Sequence, residues 1–274
     1  MVPRMKLAFL LAVLVACSSS PKPAGHRPSD TGPLSEAEFK AMHALPTAGP
    51  AVREGQVIDL AGTRAYLALP KGPGPHPAIL VIHEWWGLNA NIEHWADRFA
   101  RAGWAALAVD LYGGVVATER DQALAAMKAV DEDQAAATIA AGLELLASDE
   151  RIRAPRRAVV GWCFGGGWSL QTALAHPELD GAIIYYGQLV TDAAKLGAIK
   201  SRVLGVFGTR DKGIPLDEVA KFEGALREAG VRAEILRYDA DHAFANPSNP
   251  VYDEKHAGEA WKRVLAFLDA VKQG

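Results

Sequence analysis

From about residue 52 onward, short apolar runs alternate with helical patterns, and no other feature limits the fold as much. The runs are Gln56–Leu60, Ala65–Leu69, Pro77–His83, Trp104–Asp110, Ala158–Gly161, Gly181–Tyr186, Val203–Gly208 and Ala233–Tyr238. Several are apolar throughout, as strands buried on both faces must be; a sheet wet on one face would alternate with period two. Helical stretches lie between them at Ile92–Ala102, Glu119–Ala147, Phe164–Ala175, Leu216–Ala229 and Tyr252–Val271. Such alternation predicts an α/β fold with a mostly parallel twisted sheet covered by helices on both faces, and its first two strands are expected to be antiparallel. In open sheets of this kind ligands sit beyond the carboxyl ends of the strands. Glu84, Cys163, Asp211 and His242 all fall there.

The preceding segment has a different character. Residues 1–16 combine a basic start with an apolar run, the anatomy of a signal peptide. Leu14-Val15-Ala16-Cys17 resembles the bacterial lipobox, whose cysteine is diacylglycerol-modified and becomes the first residue of the mature chain. Acyl chains on Cys17 would hold the protein at a bilayer, each buried methylene contributing about 0.8 kcal/mol. Residues 17–51 then read as anchor, flexible tether and short helix. Ser18 to about Pro33 cannot bury a core, and Ser35-Glu36-Ala37-Glu38 has the cap and first-turn acids of a helix that ends by Pro46. Whether that helix docks on the domain is not legible. The expected location is the bacterial cell envelope, lipid-anchored and facing the periplasm; Ser18 after the cysteine resembles the pattern sorted to the outer membrane.

Bulk properties remove several function classes. A net charge of −3 leaves no excess of cations to neutralise phosphates, so nucleic acid is not an expected partner. No apolar run approaches the roughly 18 residues that a membrane-spanning helix needs. The two cysteines, Cys17 and Cys163, have separate expected jobs and are not expected to pair.

The sharpest local signal is Gly161-Trp162-Cys163-Phe164-Gly165-Gly166, between a strand and a helix. This is the nucleophile elbow G-x-S-x-G with cysteine in place of serine. Its glycines answer a turn too tight for neighbouring side chains. A helix N-terminus at the sulfur favours thiolate. The fold supplies its partners in the order nucleophile, acid, histidine. Asp211 follows one strand and His242 the next, so Asp211 would fix the imidazole tautomer and His242 would move the proton. His256, on the last helix, is the rival histidine; Asp217 and Asp241 are rival acids. Val81-Ile82-His83-Glu84-Trp85-Trp86-Gly87 begins like a zinc-helix motif, but residue 87 is glycine, so no metal is expected. At this strand end a backbone N–H could instead complete an oxyanion hole with that of Phe164.

Together the cysteine elbow, His83-Glu84-Trp85-Trp86-Gly87-Leu88-Asn89, Ala108-Val109-Asp110-Leu111-Tyr112-Gly113-Gly114, the Asp211 loop and Asp241-His242-Ala243-Phe244 resemble the dienelactone hydrolase family of α/β-hydrolases, over about residues 56–272. The resemblance implies a Cys163–His242–Asp211 triad and an oxyanion hole from the N–H groups of Trp85 and Phe164. It also implies that the Glu84 carboxylate contacts the thiol at rest and takes up its proton when substrate binds. Two arginines that bind a substrate carboxylate in the founding members are missing: Gly114 and Asn246 stand at their positions. A buried carboxylate without a cation is costly, so a neutral or differently presented ester is the expected substrate. Arg210 and Arg237 are the nearby cations that could replace them. Trp86, Tyr112 and Trp162 are candidate substrate-binding residues.

The resulting expectation is hydrolysis of an ester or lactone through an acyl-cysteine, without cofactor. It would be carried by residues 52–274 acting as a monomer. The alternatives are a non-catalytic envelope lipoprotein that uses the scaffold for binding, and an acyltransferase built on the same residues.

Overall fold

The computed structural model describes residues 36–43 and 53–274. The signal peptide, Cys17 and the tether lie outside the described residues. All eight expected strands form: β1 (Gln56–Leu60), β2 (Thr63–Ala68), β3 (Ala78–Ile82), β4 (Ala105–Val109), β5 (Arg157–Trp162), β6 (Gly181–Tyr185), β7 (Arg202–Gly208) and β8 (Ala233–Tyr238). They make one sheet in the order β1-β2-β4-β3-β5-β6-β7-β8. β1 and β2 pair antiparallel, as do β2 and β4, and every later pair is parallel.

Helices cover both faces. α1 (Glu36–His43), α2 (Ala90–Arg101) and α8 (Glu254–Gln273) enclose one apolar core, which includes Ile79, Val81, Val160, Trp162 and Trp261. α4 (Glu132–Ser148), α5 (Phe164–Ala175) and α7 (Leu216–Glu228) enclose the other, around Leu80, Leu107, Val159, Ile184 and Phe207. Two layers on a doubly buried sheet explain why β3 and β4 are apolar at every position. The expected helix over 119–147 is two helices, α3 (Arg120–Lys128) and α4, because the Asp131 side chain accepts the Gln134 N–H and caps α4 anew. The four-residue α6 (Ala193–Leu196), capped by Asp192, carries no periodic signal that sequence could reveal.

The helix near the N-terminus docks. Arg98 of α2 is fully buried, its guanidinium 4.2 Å above the Phe39 ring and 4.1 Å above the Trp261 ring. Glu36 accepts hydrogen bonds from Arg98 at 2.7 Å and from the Tyr252 hydroxyl at 2.6 Å. α1 thus supplies both the counter-charge and one ring of the cage that holds a buried cation.

Sheet order also places the site. The chain passes from β3 outward to β4 and then returns across β3 to β5, so the order reverses between β3 and β5. Crevices form where strand order reverses. Ile82 is in register with Gly161, and Trp162 with Tyr185. The residues that leave these three strand ends, Glu84, Cys163 and Tyr186, therefore emerge side by side.

Candidate active site

Cys163 occupies a strained backbone conformation, φ 53° and ψ −114°, at the N-terminus of α5. A non-glycine residue there costs of order 1–3 kcal/mol and persists only where its surroundings enforce it. They do so through contact at both flanks. A Cβ on Gly161 would lie 2.0 Å from the Gly165 carbonyl oxygen, and one on Gly165 would lie 2.4 Å from that of Ile82. The Cys163 N–H donates to Tyr185 O, and its own carbonyl accepts from Gly167 N–H, which fixes the turn at both ends. Cys163 is a free thiol, half-buried.

Asp211 and His242 meet at the next strand ends. Asp211 follows β7 and His242 follows β8, and His242 Nδ1 lies 2.6 Å from Asp211 Oδ2. Asp211 Oδ1 accepts the N–H groups of Gly213 and Ile214 at 2.7 and 3.1 Å, so both oxygens are engaged. Burial would raise this carboxyl, but the bonds from His242 and the two amides hold it below the usual carboxylate range. Burial would lower His242; hydrogen bonds to Asp211 and Cys163, with the charge on each, overcome that and push it up to about 10. The rivals stand elsewhere. His256 pairs with Asp253 on α8, Asp217 with Lys221, and Asp241 with Arg210.

Glu84, just past β3, is buried with very different partners. Its Oε2 accepts from Asn246 Nδ2 at 2.5 Å, while Oε1 has no hydrogen-bond partner. Burial pushes this carboxyl up to about 7, against a smaller lowering by Asn246 and by the charge of His242. The hydrogen bond of Glu84 thus runs to Asn246, and not to the thiol that the resemblance implied. The residue standing in place of an arginine is short enough to reach the carboxylate itself. The other missing arginine also has a local reason. Gly114 sits at φ +94°, where any side chain is strained, and its N–H donates to Asp110 Oδ2. Arg210 and Arg237 do not fill the gap, because Arg210 pairs with Asp239 and Asp241, and Arg237 with Glu223.

The remaining expected residues divide. Trp85 and Trp86 are half-exposed, with rings 4.9 Å apart. Among the described residues no backbone acceptor engages the N–H of Trp85 or of Phe164. Tyr112 packs on His83 at 4.6 Å and on Phe164 at 5.3 Å, and burial and the nearby Cys163 raise its hydroxyl. Trp162 does not join them. It is 1% exposed and packed between Trp95 and Tyr185 in the core, because the residue before the nucleophile still belongs to β5 and faces the helix layer.

Two neighbours were not among the expected site residues. Tyr186 leaves β6 at φ 37°, its ring 5.1 Å from His242, and burial and the charges of Glu84 and Cys163 raise its hydroxyl. His83 is buried, its Nδ1 2.6 Å from the Glu84 carbonyl and its Nε2 accepting from Leu111 N–H. Burial lowers it, so it is neutral with the proton on Nδ1. Among the described residues no His, Cys, Asp or Glu cluster could hold a metal ion.

A mostly parallel sheet with a strained cysteine elbow after β5 and an acid–histidine pair after β7 and β8 defines an α/β-hydrolase. The chain belongs to the dienelactone hydrolase family, whose model matches residues 63–272. It is 34% identical over 230 residues to "Protein usf" of Aquifex pyrophilus, covering 78% of this chain and 97% of that one. It is 30% identical over 215 residues to a "Putative carboxymethylenebutenolidase" of Methylorubrum extorquens, covering 73% and 74%. A Klebsiella pneumoniae crystal structure titled "Putative Dienelactone Hydrolase" superposes with a TM-score of 0.72 at 29% identity, covering 79% and 97%.

Proposed function

We propose that this hydrolase cleaves a carboxylic ester or lactone by nucleophilic attack of Cys163. The observation that carries the reading is the strained Cys163 turn facing the His242–Asp211 pair, since a scaffold kept only for binding gains nothing from that strain. The relatives named for lactone chemistry agree with it.

His242, held by Asp211, carries the thiol proton as imidazolium. The sulfur attacks the carbonyl carbon, and the oxyanion is taken by the N–H groups of Trp85 and Phe164, each worth about 3 kcal/mol in such sites. The carbon–oxygen bond breaks, and His242 gives its proton to the leaving alkoxide. Water then loses a proton to His242 and attacks the thioester, and the acid departs as the carbon–sulfur bond breaks. Ionised Glu84 is a second proton acceptor in this reading, so kcat/KM falls as pH drops through about 7. Water is the proposed acceptor. With Gly114 and Asn246 in the arginine positions, a substrate that is neutral next to its scissile bond is favoured.

Cys163→Ala is the test, with activity measured on a neutral activated ester. Loss of at least about a thousandfold with an unchanged melting curve supports the assignment; full retention overturns it. A second part of the proposal, supported by Leu14-Val15-Ala16-Cys17, is a lipid on Cys17 that holds the domain on the periplasmic side of a bacterial membrane. An intact mass showing an unmodified Cys17 in a bacterial host would overturn that part.

A further inference from the structure

Arg120 is placed where the mechanism gives it nothing to do. It is the first residue of α3, a position where the helix dipole disfavours a cation, and the preceding Glu119 makes no side-chain cap. No carboxylate among the described residues lies within ion-pair distance of its guanidinium, in contrast to Arg210 and Arg237. The guanidinium instead lies over the Trp85 ring, 5.6 Å from its centroid.

That placement is built rather than incidental. The segment between β4 and α3 is tied to the Trp85–Trp86 turn by a hydrogen bond from Ala117 N–H to the Trp86 carbonyl at 3.0 Å. Trp85 follows Glu84 directly and offers the N–H proposed for the oxyanion. Arg120, exposed and lying over that ring, is therefore at the rim of the site, with exposed Val115, Val116 and Leu124 on the same segment and helix. Residues that oppose a local rule without structural return are concentrated at functional positions.

We propose that Arg120 is a specificity-determining residue that seats an anionic group, such as a carboxylate, carried by the substrate away from its scissile bond. The apolar residues beside it suit a hydrocarbon spacer between the two. The inference rests on the Cys163 site being the ester-cleaving centre. It moves the cationic seat from the two lost arginine positions to the rim and leaves the reacting end of the substrate neutral. Trp85 holds the guanidinium by its face and leaves the edge N–H groups free for an oxyanion pair.

Two matched substrates test it, p-nitrophenyl butyrate and p-nitrophenyl hemiglutarate, with wild type, Arg120→Gln and Arg120→Lys. Arg120→Gln should raise KM for the hemiglutarate about tenfold and leave its kcat, and both constants for the butyrate, within about twofold. Arg120→Lys should recover part of the loss. Salt at about 0.5 M should weaken hemiglutarate use by wild type and not by Arg120→Gln. Equal effects on both esters would make Arg120 a packing residue and overturn the inference, as would no effect on either. If wild type cleaves neither ester, the nucleophile assignment has failed, and the seat is read separately. Monomethyl glutarate is titrated into Cys163→Ala protein by tryptophan fluorescence. Weakening of about tenfold by Arg120→Gln then supports the seat, and unchanged binding overturns it.

Discussion

Asp211 and Glu84 are two buried carboxylates in one site, and their surroundings push them in opposite directions. Asp211 has an imidazole on one oxygen and two backbone N–H groups on the other, and it is held ionised. Glu84 has one neutral amide on one oxygen and nothing on the other, and it rises to about 7. Burial raises both, and it weighs more on Glu84, which is the more deeply enclosed. The number and charge of the donors add to that difference and separate a permanent anion that orients a base from a group that changes charge near neutrality.

The matched substitutions Asp211→Asn and Glu84→Gln should break this symmetry most visibly. Asp211→Asn removes the anion that fixes the His242 tautomer, so kcat should fall by on the order of a thousandfold or more. Its stability effect follows from a depressed folded pKa. The stabilisation is present above the unfolded value of 3.8 and lost as pH falls through the folded one, so the variant should melt lower at pH 8. Glu84 has the opposite sign. Its folded pKa lies above the unfolded 4.5, so the fold loses stability as pH rises from 4.5 through about 7. Glu84→Gln stays neutral and should be more stable than wild type at pH 8, by about 3 kcal/mol for a shift of this size, and show little gain at pH 4.5. Its activity should drop because a proton acceptor is gone. Melting curves at both pH values decide the matter. If both variants shift the same way at pH 8, the two carboxylates are not tuned apart.

What could be read in advance follows the same division between local and non-local causes. The strands were legible because burial on both faces leaves an apolar run that survives in one dimension, and β8 ended where expected although it is half-exposed. Cys163, Asp211 and His242 were legible because each sits at a strand end and the first lies in a glycine frame that steric contact demands. Asn246 was visible only as an absent arginine. That it reaches Glu84, 162 positions away in sequence, depends on how two loops close. Tyr186 and Arg120 were hidden for the same reason. Trp162 was misplaced in the other direction. Proximity to Cys163 in sequence suggested the site, yet in a doubly covered sheet the neighbouring residue points into a helix layer. The docking of α1 was hidden too, since a polar segment gives no sign that Glu36 answers a buried Arg98.

The finest test of the comparison acts on Asn246 alone. Its amide donates to Glu84 through Nδ2, while its Oδ1 accepts the Ser248 N–H at 2.8 Å. Asn246→Leu removes both contacts. Asn246→Asp keeps an acceptor for Ser248 and replaces the donor with a second carboxyl group. The Asn246 hydrogen bond lowers Glu84, so losing it must raise Glu84 further above about 7. For Asn246→Leu one neutral hydrogen bond corresponds to about one pH unit, and the acid limb of kcat/KM should move upward by that amount. Asn246→Asp should move it further, because two carboxyl groups at this spacing cannot both ionise cheaply. The limb should shift while the rate on its plateau changes little, since neither variant touches Cys163, His242 or Asp211. An upward shift in Asn246→Leu but none in Asn246→Asp would trace the effect to the Ser248 turn. An unmoved limb in both would mean that the group titrating near neutrality is not Glu84, and the contrast with Asp211 would then be structural rather than catalytic.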